Sequence, residues 1–154
     1  MSYKVIAIET AVADQARLNA KDTLGFPTFT APAGQGLPCR HCLQWIETGA
    51  PATFFTLDPF AGTEALPLPG PVYVHGDGCD RYAGGSLPVH LFQSPRTLNA
   101  YAKGRKLVAQ EYVQGATAAE VVDRLFGRED VEYLHVRSTT AGCFTFRLER
   151  SRRA

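Results

Sequence analysis

Net charge is what this sequence most lacks. Sixteen Lys plus Arg stand against fifteen Asp plus Glu, a formal +1, so there is no electrostatic case for broad nucleic-acid binding. No apolar run approaches membrane-spanning length. The opening MSYKVIAIETAVADQARL lacks the apolar core and small-residue cleavage site of a signal peptide. The expected compartment is therefore the cytoplasm, where thiols stay reduced, and four cysteines read first as free thiols or metal ligands. The sequence also contains no P-loop, no GxGxxG after a strand, no HExxH and no GxSxG, so phosphate, dinucleotide, zincin and hydrolase chemistry lack their usual anchors. Extremes of composition are missing as well. Hydrophobic residues at 45% and charged residues at 20% are ordinary for a globular chain, and 154 residues suffice for one domain whose core needs no metal or disulfide to fold.

The punctuation by Gly and Pro organises the rest. YKVIAI, residues 3 to 8, reads as a strand, and TAVADQARLNA as a helix with Thr10 at its cap. GFPTFTAPAGQGLP, with three prolines and three glycines, predicts a loop leading to PCRHC at 38 to 42. LQWIETG offers at most a short helix carrying Trp45, read as a core anchor. ATFFTLDPF and PVYVH predict strands, the second ending in the turn GDGCD. Ser94-Pro95 predicts a helix start, with Gly104 as its end, placing Arg96, Leu98 and Tyr101 on a helix. KLVAQEYV predicts a strand and Thr117 to Glu120 a capping box opening AAEVVDRLF, which Gly127 ends. VEYLHVR and CFTFRLE, joined by STTAG, predict a hairpin. A strand, a helix and a strand imply a parallel pair with a right-handed crossover, so the expected sheet is mixed. The C-terminal Arg150, Arg152 and Arg153 read as a solvated basic tail.

Alternation along that last hairpin puts Leu134 and Val136 with Phe144, Phe146 and Leu148 on a core face. Tyr133, His135 and Arg137 fall on the other, with Cys143, Thr145 and Arg147. The expected register sets Arg137 opposite Cys143, His135 opposite Thr145 and Tyr133 opposite Arg147. This second face is either solvent-facing polar surface or a binding surface.

PCRHC is the stretch with the clearest chemical character. Two cysteines two residues apart can point both sulfurs at one tetrahedral ion. HGDGC supplies a second half in His75 and Cys79. Cys39, Cys42, His75 and Cys79 then make a closed site of three thiolates and one imidazole, suited to zinc. The separation of Cys42 from His75 lies outside short zinc-finger spacings. His41 is an alternative ligand of awkward geometry; His90 and Cys143 have no spacing argument. A redox reading of Cys-Arg-His-Cys lacks the strand and long helix that give that motif its meaning. A cysteine nucleophile, Cys39 or Cys143 with His135 and Asp58 or Asp77, has no support in spacing.

The order LPCRHCLQWIETGAPATFFTLDPF, then GPVYVH with a following cysteine, then VVDRLF and VEYLHVRSTTAGCFTFRLER, over about residues 36 to 150, resembles the bacterial family DUF1203, a domain of unknown function. The resemblance implies that Pro38, Cys39, Arg40, Gly70, Pro71, His135, Arg137, Gly142 and Cys143 belong to a family pattern, and it brings no assigned activity.

The expected fold is a single α+β domain over 1–154, with a mixed, mainly antiparallel sheet and two or three helices packed on one face. Three functions from different classes follow. One is a binding or structural domain in which Cys39, Arg40, His135, Arg137 and Cys143 line a pocket for a small anionic ligand. The others are a structural zinc domain on Cys39, Cys42, His75 and Cys79, and a thiol-dependent enzyme. Zinc is the one cofactor implied. Nucleic acid and membrane are not expected as partners, and a monomer or a homodimer fits equally.

Overall fold

A computed structural model describes residues 3 to 151; Arg152 and Arg153 of the basic tail lie outside the described residues. The fold is α+β, with every ladder among the described residues antiparallel. The chain forms two compact units. One takes in the chain up to Ile6, Phe60–Leu66 and the chain from Ala83; the other is Ala7–Pro59 with Pro67–Tyr82.

The first unit is a five-stranded sheet of order β1-β10-β9-β7-β8, from β1 (Tyr3–Ile6), β7 (Arg96–Tyr101), β8 (Leu107–Val113), β9 (Tyr133–Ser138) and β10 (Phe144–Arg150). Helix α2 (Ala118–Phe126) buries Ala118, Val122, Leu125 and Phe126, a stripe at helical spacing. Phe126 stacks on Tyr3, with ring centroids 5.7 Å apart. The sheet's apolar face is built by register: Leu98 lies opposite Val136, Ala100 opposite Leu134, and Leu148 opposite both Leu134 and Val5. All five of these core residues outside β1 are 0% exposed.

Several expectations are corrected here. The segment predicted as a helix from Ser94 to Gly104 is strand β7. Its Thr97-Leu98-Asn99-Ala100-Tyr101 alternates at period two, and pairing with β8 on one side and β9 on the other outweighs the local Ser-Pro signal. Strands β8 and β9 keep the parallel direction expected of a strand-helix-strand unit, but β7 lies between them, so they do not pair. Neither expected cap forms: Thr10 and Thr117 make no capping bond at the helix starts. The β9–β10 hairpin carries a bulge between Phe144 and Phe146, which sets Phe144 opposite Arg137, Arg147 opposite His135 and Glu149 opposite Tyr133. A bulge shifts the pleat, and Phe144 thereby moves from the core face to the His135 face, where the two rings lie 5.0 Å apart. Arg150 is no free tail residue; its Nη2 donates to the carbonyls of Phe126, Arg128 and Val131 at 2.8 to 2.9 Å.

The second unit holds helix α1 (Thr10–Leu18), a three-stranded sheet of β2 (Phe29–Pro32), β5 (Pro51–Leu57) and β6 (Gly70–His75), and a small pair of β3 (Leu37–Pro38) with β4 (Trp45–Ile46). Two of these lie in the segment expected to be loop. β2 accommodates Pro32 because it is an edge strand, where a missing N–H is tolerated. The short helix expected at LQWIETG is instead β4, so Trp45 sits on a strand and is half-buried. Buried Asp22 organises the intervening loop: its carboxylate accepts the N–H groups of Leu24, Phe26 and Thr56 at 2.9 to 3.0 Å.

Candidate metal centre

The β3–β4 hairpin presents PCRHC at its tip. Cys39 N–H donates to the Gln44 carbonyl at 2.9 Å, and Leu43 N–H returns to the Cys39 carbonyl at 2.9 Å. Closing this knuckle puts Leu43 at φ 59, a left-handed conformation that a bulky side chain rarely adopts. Leu43 tolerates it while 0% exposed, so packing holds the turn. The knuckle is docked on β6 through Arg40 N–H to the Tyr73 carbonyl at 3.1 Å. Arg40 is itself buried; its guanidinium lies 4.3 Å above the Tyr73 ring and its Nη1 donates to the Pro38 carbonyl at 2.7 Å.

The end of β6 brings the other half. His75 closes the strand, and its neighbour Gly76 runs so close to β5 and β2 that an added Cβ would stand 3.0 Å from both the Pro51 Cβ and the Thr30 Cγ2. Gly78, at φ 97, turns the chain back to deliver Cys79. Tyr82 N–H donates to the His41 carbonyl at 2.8 Å, tying the chain after Cys79 to the knuckle.

One ligand atom from each of Cys39, Cys42, His75 and Cys79 lies within 4.8 Å of every other. The Cys39 and Cys79 sulfurs are 3.7 Å apart, and Cys42 Sγ lies 3.3 Å from His75 Nδ1. A tetrahedral ion with metal–sulfur bonds of about 2.3 Å has sulfur–sulfur edges of about 3.8 Å. The donor set, three thiols and one imidazole, is also the one soft divalent ions select. The residues therefore fit a four-coordinate metal. All four cysteines are free thiols.

A second layer surrounds Cys79. His41 Nδ1 lies 3.2 Å from its sulfur, and Arg17 Nη2 donates to that sulfur at 3.3 Å. The other His41 nitrogen, Nε2, sits 2.9 Å from the Thr10 hydroxyl. A neutral His41 donates at one of these two contacts and accepts at the other. Arg17 also donates from Nε to the His75 carbonyl at 2.7 Å and pairs with Asp14 at 3.2 Å. His41, expected as an alternative ligand, instead lies against the Cys79 sulfur and is not among the four converging ligand atoms. Thr10, expected at the helix cap, holds His41.

Electrostatics divide the thiols. The Cys42 thiol donates to Cys39 and holds the Cys39 thiol well below its usual range, aided by the backbone N–H groups of Cys42, His75 and His41. The same bond, with burial, pushes Cys42 up. Burial, then the charge on Cys39, pushes Cys79 up. Burial, then Arg17, holds His41 down, in its neutral form. A divalent cation held by Cys39, Cys42, His75 and Cys79 would have to displace the protons of two of these thiols.

The remaining expected site residues fall elsewhere. Cys39 and Arg40 belong to the second unit, and His135, Arg137 and Cys143 to the first. His135 is 0% exposed, so its face is no solvated polar surface. Cys143 is half-buried on the hairpin turn, its sulfur 4.0 Å from the Ala141 carbonyl. Sequence reasoning missed Thr10 and Arg17, which reach the centre across 31 and 62 positions and carry no motif. The model of a family described as a protein of unknown function, DUF1203, matches residues 36–150. Comparison with curated proteins and with solved structures finds no match.

Proposed function

The chain belongs to the DUF1203 family, and because that family's description assigns no activity we propose, from the centre itself, that Cys39, Cys42, His75 and Cys79 hold a structural zinc ion. The observation that carries this reading is the convergence of four soft ligand atoms within 4.8 Å from two separate turns. Zinc takes this tetrahedral set of three sulfurs and one nitrogen, and four protein ligands leave no open position for a substrate or water. Cys39 is 0% exposed, which favours a closed structural site over a thiol nucleophile that must meet a substrate. The ion's role is mechanical: it pins the tip of the β3–β4 hairpin to the end of β6.

Protein expressed with zinc available and kept from chelators should weigh about 65 Da more under native than under denaturing conditions, one zinc per chain. Cys42→Ser should lose that mass, and Cys143→Ser should keep it. A clean metal-free mass with four rapidly titrating thiols would overturn the centre. Retention of zinc by both variants would overturn the ligand assignment.

A further inference from the structure

Strand β9 alternates, so Tyr133, His135 and Arg137 share one face of the five-stranded sheet. Register adds Asn99 from β7 and Arg147 from β10 as direct neighbours of His135. His135 is 0% exposed and is ringed by Phe60, Phe144, Tyr101 and Tyr133, at centroid distances of 4.7 to 5.3 Å. Among the described residues neither of its ring nitrogens has a hydrogen-bond partner, and the same holds for the buried Asn99 Oδ1 and for the buried Nε and Nη2 of Arg137. Buried polar atoms in folded proteins are nearly always hydrogen-bonded. Three neighbouring side chains of one face that all break this rule point to something they are built to hold.

Their chemistry narrows what it is. Arg137 commits Nη1 to the Gly142 carbonyl at 3.1 Å. Its Nε and Nη2 form the other edge of the guanidinium, two parallel N–H groups whose spacing matches the two oxygens of a carboxylate. His135 is neutral at physiological pH, because burial, then Arg137, Arg147 and Arg105, hold its pKa down to about 3. A neutral imidazole offers one donor and one acceptor, and Asn99 Oδ1 offers only an acceptor. A simple dianion has nothing to give those acceptors; a carboxylate that also carries a hydroxyl does. Cross-strand neighbours stand about 5 Å apart and next-but-one residues about 7 Å, the span of a short hydroxy acid.

We propose that this face binds a small hydroxycarboxylate, its carboxylate on the Nε/Nη2 edge of Arg137 and its hydroxyl between His135 and Asn99. The aromatic rings around His135 exclude water from the bound group, and the guanidinium of Arg147, stacked 4.0 Å above Tyr133, adds positive potential. The site uses none of the metal ligands and is independent of the zinc reading.

The probe is glycolate, with acetate and phosphate as comparisons, titrated into the full chain as purified and freed of carboxylate buffers. The readout is the ring nitrogen resonances of its four histidines, that of His135 assigned by its loss in His135→Phe. Glycolate should shift the His135 signal saturably, and acetate, lacking the hydroxyl, should bind about ten-fold more weakly. Arg137→Gln should weaken glycolate at least about ten-fold, since it removes a charge-assisted pair of bonds. The other histidine signals report that the variant remains folded. No saturable shift up to about 50 mM, a range set by the small binding energy available to so few atoms, overturns the proposal. So does glycolate binding that survives Arg137→Gln, or equal binding of acetate or phosphate.

Discussion

Acidification should act on this protein through His135, and the size of the effect follows from its surroundings. Burial and the cations Arg137, Arg147 and Arg105 hold the folded-state pKa at about 3, against an ordinary 6.5. Glu149 is occupied by Arg147 at 2.8 Å and leaves that balance positive. A histidine whose pKa is depressed on folding is protonated more readily in the unfolded chain. Its neutral form therefore contributes fully above about pH 6.5, and the contribution is lost as pH falls towards 3. The slope is about 1.4 kcal/mol per pH unit, which amounts to about 3 kcal/mol at about pH 4.5. That is a large part of the 5 to 15 kcal/mol or so typical of a domain. Urea unfolding followed by circular dichroism, at about pH 7, 5.5 and 4.5 in carboxylate-free buffers, should be run on wild type and on His135→Phe. The phenylalanine suits an aromatic cage and cannot titrate. Carboxylates and thiols elsewhere are common to both proteins and cancel in the difference. Between the two pH extremes the difference should move by about 3 kcal/mol in favour of the variant. A difference that stays constant with pH would refute the argument, since the imidazole would then not be held neutral by the fold.

Two further outcomes concern the metal centre. Arg17→Gln and His41→Ala each remove a partner of the Cys79 sulfur, and each should lower zinc affinity about 10- to 100-fold in competition with a chromophoric chelator; wild-type affinity in both would show that the second layer only packs. Gly76→Ala forces a Cβ to within 3.0 Å of the Pro51 Cβ and the Thr30 Cγ2, and should destabilise the protein by about 1 to 3 kcal/mol, read as a lowered Tm; an unchanged Tm would mean that the end of β6 moves freely.

Much of the fold is legible where local signals and burial agree. Strands β5, β6 and β8 emerge from β-branched and aromatic runs bounded by Gly and Pro, and α2 from its apolar stripe and terminal Gly127. The misreadings occur where pairing overrides local sequence. β7 carries a good helix start, yet it is a central strand with partners on both sides. β3 and β4 are two residues each, too short to show any periodicity. The hairpin register failed at one bulge, and that single residue decides which face Phe144 joins. In the candidate metal centre, ligand type and the two turns were readable, because only certain residue types bind soft metal ions. The separation of 33 positions between Cys42 and His75 obscured the pairing, since it is set by the β5–β6 hairpin rather than by a short motif. Thr10 and Arg17 were invisible because nothing in the sequence of α1 marks contact with a sulfur.

The same short strands argue for what an ion at the centre does. A hairpin of two-residue strands is not stable alone in water. This one also includes Leu43 at φ 59, a conformation that costs about 1 to 3 kcal/mol. The ladder between β3 and β4 pairs only Leu37 with Ile46 and Pro38 with Trp45, and Pro38 has no N–H to give it. What fixes the knuckle includes the packing of Leu43, the Ile8 N–H to the Arg40 carbonyl at 3.2 Å, the Thr10–His41 contact and its contacts with β6 and with the chain after the HGDGC turn. The Arg40–Tyr73 backbone bond and the Tyr82–His41 backbone bond supply part of this. At the junction itself the Cys39 and Cys79 sulfurs, 3.7 Å apart, share a proton while Cys79 stays a thiol; on the proposed reading a divalent ion would displace that proton and draw both turns to a common point, since without it two thiolates so close would repel.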